Sequence, residues 1–175
     1  MIFINKKNYF LYSFYSIYIL IGLYLSITNG ITVDEYFNHL HWQINKEAAI
    51  SFIKNGTYEE LLNYQDRYHG IALQLISLPI QSMLQTFVAK LNDISIFGGF
   101  LISKHSVVFL LFSISGIFFY LLCMKLTKSS FFSFISSSIY LLYPYLFGHA
   151  QFNPKDIPFL SFWLINSYIS LTIIE

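Results

Sequence analysis

Only 11% of the 175 residues are charged, so adjacent ionisable side chains are the first places to look for chemistry. Asp34-Glu35 is the earliest acidic pair and follows a long apolar run. Lys155-Asp156 lies in a polar stretch from His149 to Phe159, between uncharged runs from Ser129 to Gly148 and from Ile157 to Ile174. A carboxylate can act as general base toward a hydroxyl, and a cation opposite stabilises charge developing on a departing phosphate. Together these groups describe group transfer from a membrane-anchored phosphate donor. Each pair also has a plain structural reading, as the start of a loop or as a solvated turn flanked by Pro154 and Pro158.

The histidines add less. His39-x-His41 would bring both rings to one side only in an extended strand, and its surroundings read as helix or loop, so the pair is assigned to the interface or to packing rather than to a metal. Cys123 sits alone in an apolar run, which excludes an intrachain disulfide and a cysteine-based metal motif. There is no glycine-rich phosphate loop and no hydrolase nucleophile elbow.

The elements that position these residues are read from hydropathy. With 55% hydrophobic residues and a mean hydropathy of +0.56, the chain is expected to be an all-α integral membrane protein. A net charge of +1 without a basic cluster excludes nucleic acid as a partner. About four transmembrane helices are expected, over 9–29, 106–124, 129–147 and 157–174, in a single membrane domain, since about 20 apolar residues cross a bilayer. Lys6 and Lys7 ahead of the first run place the N-terminus in the cytoplasm, in a bacterial inner membrane or an endoplasmic reticulum membrane. The tight turn from Lys125 to Lys128 makes the second and third helices neighbours.

Residues 30–105 form a long outer loop carrying interfacial helices. A short surface helix is expected from Lys46 to Lys54, stopped by Asn55-Gly56, and Thr57-x-x-Glu60 has capping-box spacing for another. From Tyr68 to Ala89, Gln74, Ser77, Gln81 and Gln85 recur at three- and four-residue spacing and form a polar stripe, with Pro79 among them. Such a helix belongs in the interface or against other helices. If it does not cross, Lys125 and Lys128 reach the cytoplasm, and Asp34 and Asp156 share the outer face. Ser136-Ser137-Ser138 is assigned to close helix contact. The chain stops at Glu175 directly after an apolar run, which reads as the edge of a longer protein.

The order of apolar helix, Thr32-Val33-Asp34-Glu35-Tyr36, surface helices, helix, basic turn, helix, Asp-bearing loop and helix resembles the GT-C membrane glycosyltransferases. It is most similar to the protein O-mannosyltransferase and aminoarabinose-transferase branch. Phe152-Asn153-Pro154-Lys155-Asp156-Ile157-Pro158-Phe159 resembles the short loop after the third helix of bacterial members. The resemblance implies the N-terminal part of a GT-C fold and transfer of a sugar from a polyprenyl phosphate to a hydroxyl on a glycan, lipid or protein acceptor. It implies Asp34 as catalytic acid-base residue with Glu35 beside it, and Asp156 with Lys155 at the donor phosphate or a divalent metal. His105 stands where many members carry Arg, and His69, with Tyr68, stands at a donor-contacting cluster. Family members continue through many more helices. The competing class is a non-catalytic membrane subunit or transporter fragment that binds a partner or ion.

Overall fold

The computed structural model describes residues 9–68 and 70–174. Eight helices are ordered α1 (Tyr9–Thr28), α2 (Val33–Asn55), α3 (Glu59–Asn63), α4 (Ala72–Asn92), α5 (Ile96–Thr127), α6 (Ser130–Leu142), α7 (Pro144–Ala150) and α8 (Asp156–Ile174), and there is no strand among the described residues. The helices α1, α4, α5 and α8 are long and apolar enough to cross a membrane. The chain divides into two compact units: one takes the residues up to Asn29 and those from His105 onward, the other takes Gly30–Lys104.

In the first unit small residues let helices approach closely and hydroxyls bind freed carbonyls. A Cβ on Gly22 would run into the ring of Phe109, and one on Gly116 would come within 2.5 Å of Leu141 Cδ2. Ser137, the middle of the serine triplet, donates to the Gly116 carbonyl at 2.7 Å and shares a 2.5 Å hydrogen bond with the Tyr15 hydroxyl. That is the close-contact role expected of small polar residues between apolar helices. Where one helix is expected over 129–147, the structure has two, α6 and α7, bent by 60°. Pro144 is the cause: it has no N–H to continue α6, and it holds Tyr143 in an extended conformation (φ −61°, ψ 117°). The break leaves the last carbonyls of α6 short of helical donors. Tyr18 donates its hydroxyl to the Leu141 carbonyl at 3.0 Å.

In the second unit α2 runs unbroken over 23 residues, where a short helix over 46–54 is expected. Its start is capped at Thr32, and Gly56, at φ +71°, ends it by donating to the Phe52 carbonyl at 2.9 Å. The expected box at Thr57 does not form: α3 begins at Glu59 after Tyr58, with no side-chain cap. Helix α5 starts at Ile96, about ten residues earlier than the expected span, because Ser95 Oγ accepts from the Gly98 N–H at 3.0 Å. Gly99 lets α5 lie on α4, since a Cβ there would clash with the Gln85 carbonyl and come within 2.8 Å of Ala89 Cβ.

Candidate functional site

The two ionisable pairs occupy equivalent places, each in the first turn of a helix, but their members do different work. At the head of α2, Glu35 is fully buried. Its Oε1 accepts from the Thr32 backbone N–H at 3.2 Å and from the Thr32 hydroxyl at 3.0 Å, the reciprocal arrangement of a capping box. Glu35 is thereby committed to holding the chain's entry into the helix. Asp34, one residue earlier, is exposed, and its carboxylate faces whatever approaches this end of α2.

At the head of α8 the capping residue is Asn153. Its Oδ1 accepts from the N–H groups of Lys155 and Asp156, each at 3.0 Å, and its Nδ2 donates to Asp156 Oδ2 at 3.0 Å and lies 3.1 Å from His149 Nδ1. His149 in turn packs on Tyr145, with ring centroids 4.3 Å apart. Pro154 sits where its missing N–H costs nothing at a helix start. Lys155 and Asp156 are both exposed. The polar stretch is therefore a built turn in which Asp156 closes the cap and the Lys155 side chain projects outward.

His105 is fully buried in the first unit, with Nδ1 3.1 Å from the Ser26 carbonyl. The structure places it as a link between α1 and α5. His69 lies outside the described residues. Among the described residues no group of three or more His, Cys, Asp or Glu side chains is arranged to hold a metal.

The polar stripe of α4 turns inward. Lys104 is only 2% exposed, and its ammonium donates to Gln74 Oε1 at 3.2 Å. Gln74 Nε2 donates to Gln81 Oε1 at 2.6 Å, and Gln81 Nε2 donates to the Phe100 carbonyl at 2.9 Å. Ser77 Oγ lies 3.1 Å from both the Gln74 carbonyl and Gln81 Oε1 and gives its single proton to one at a time. Each donor finds an acceptor, which is what a polar chain needs if it is to be buried. The network fixes the start of α5 on α4.

That docking creates a groove sequence reasoning missed. It has a volume of about 460 Å³ and is lined by His39 and Gln43 from α2, Gln85 from α4, and Ile96, Phe97 and Phe100 from α5. Phe97 and Phe100 meet His39 edge-on, at centroid distances of 5.1 and 5.8 Å. Burial holds the His39 imidazole below its usual pKa, and Lys104 and Lys46 push the same way. The ring is neutral at pH 7, with one nitrogen a donor and the other an acceptor. The signals available in sequence were His39 and Gln85, the latter at the end of the stripe.

Comparison with protein-family models, with curated proteins and with solved structures finds no match to this chain. What the fold defines is an all-helical membrane protein.

Proposed function

We propose that this chain is part of a membrane glycosyltransferase that moves a sugar from a polyprenyl phosphate to an acceptor hydroxyl, with Asp34 as general base. The observation that carries the reading is the division of labour at the head of α2. Glu35 is spent on the cap, whereas Asp34 is exposed on a capped helical turn, after a connection of four residues from an apolar helix long enough to cross a membrane. A base must reach the proton it removes and be held still while doing so; the cap supplies the second condition. The acceptor oxygen attacks the anomeric carbon as its proton passes to Asp34, and the phosphate departs with the bonding pair, inverting the centre. The resemblance assigns Lys155 to the donor phosphate, and Asn153 and Asp156 hold its turn. In this reading the N-terminus is cytoplasmic.

The test is transfer of labelled hexose from a polyprenyl-phosphate hexose by the full chain in lipid nanodiscs. Asp34→Asn is expected to abolish transfer while Glu35→Gln retains part of it. Equal transfer by Asp34→Asn and the parent chain overturns the assignment.

A further inference from the structure

We propose that the groove between α2, α4 and the start of α5 binds an uncharged, hydroxyl-rich ring, and that the acceptor for transfer is accordingly a neutral glycan rather than a protein or lipid hydroxyl. The binding part stands on the groove alone; the word acceptor rests on the reading of Asp34 as base.

No side chain lining the groove carries charge: its polar groups are the two carboxamides of Gln43 and Gln85 and the imidazole of His39. Burial first, then Lys104 and Lys46, keep that imidazole neutral. An anionic ligand would find no cation among these lining groups, and a cation would find no carboxylate. A carboxamide offers two N–H donors beside an acceptor oxygen, and a neutral imidazole offers one of each. Vicinal hydroxyls, each both donor and acceptor, are the complement of that set.

One further observation points to a ligand: Phe97, which is 45% exposed, lines the same groove. An apolar ring beside three hydrogen-bonding side chains suits a pyranose, which has C–H faces and a polar rim. The wall is built in advance, because the Gln81 amide holds the Phe100 carbonyl and Gly99 permits the close helix approach. His39 follows Asp34 by five residues on the same helix, a rise of about 7.5 Å and a rotation of about 140° around the axis, so a glycan seated at His39 has to reach around α2 to Asp34.

Saturation-transfer-difference NMR tests this, using the full chain in nanodiscs free of sugar-based detergent. The probes are methyl α-glucopyranoside, methyl α-mannopyranoside and methyl β-galactopyranoside, with glucose 6-phosphate as the charged counterpart and no polyprenyl donor present. At least one neutral glycoside is expected to receive saturation and glucose 6-phosphate to receive less. Gln85→Leu and Gln43→Leu are each expected to weaken binding roughly fivefold or more. Gln43 is exposed on α2, so its replacement leaves the helix intact and guards against loss through misfolding. Silence from all three glycosides, binding unchanged in both glutamine variants, or stronger binding of the phosphorylated sugar overturns the proposal. None of these results bears on whether Asp34→Asn stops transfer, so the two readings fail separately.

Discussion

The head of α2 and the head of α8 are built on one plan and use it differently. In each a polar side chain caps the turn and an acid three residues on completes it: Thr32 with Glu35, Asn153 with Asp156. In α2 the completing acid is fully buried, and the free member is an anion, Asp34. In α8 the completing acid is exposed and the free member is a cation, Lys155. The lesson is that adjacency in sequence does not make a catalytic pair. In both places one of the two ionisable residues is structural, and the residue between cap and acid carries the available charge.

Four substitutions can break or sharpen this contrast. The largest effect is expected from Asp34→Asn, which should cut sugar transfer by about 100-fold or more and leave thermal unfolding in nanodiscs unchanged. Next is Glu35→Ala, which removes the acceptor of the Thr32 N–H and hydroxyl from a buried site. It should cost about 2 kcal/mol, read as a lowered unfolding temperature. Should Glu35→Ala prove stable but inactive, the roles of the two acids would be exchanged. Third, Lys155→Met should raise the donor KM about tenfold, with no change in unfolding. The smallest effect is Asn153→Ala, a cap loss of about 1 kcal/mol. Its signature is a shift in stability accompanied by a milder form of the Lys155 defect.

Some of this organisation was legible in sequence and some was not, and the difference follows interaction range. Three of the four expected spans became long helices, the run over 129–147 became the bent pair α6 and α7, and α4, expected in the interface, is also long and apolar enough to cross. The three- and four-residue spacing of Gln74, Ser77 and Gln81 became one buried face of α4. Thr57-x-x-Glu60 and Thr32-x-x-Glu35 have the same spacing, and only the second forms a box. The deciding factor is burial: Glu35 sits on the inward face of a 23-residue helix, whereas α3 is five residues long with no buried residue. The bend before α7 was also in reach, since Pro144 interrupts the apolar run.

By itself, then, the sequence determined that the chain is helical and membrane-borne and where ionisable residues cluster. These depend on composition and on contacts within one turn, where 3.6 residues per turn allow no other neighbours. Tertiary structure decided which acid of each pair is left available, that Lys104 is buried against Gln74 rather than exposed, and that His39, Gln85 and Phe97 line one groove. Those outcomes join residues dozens of positions apart. They turn on how closely two helices approach at Gly99, and local spacing cannot encode that distance.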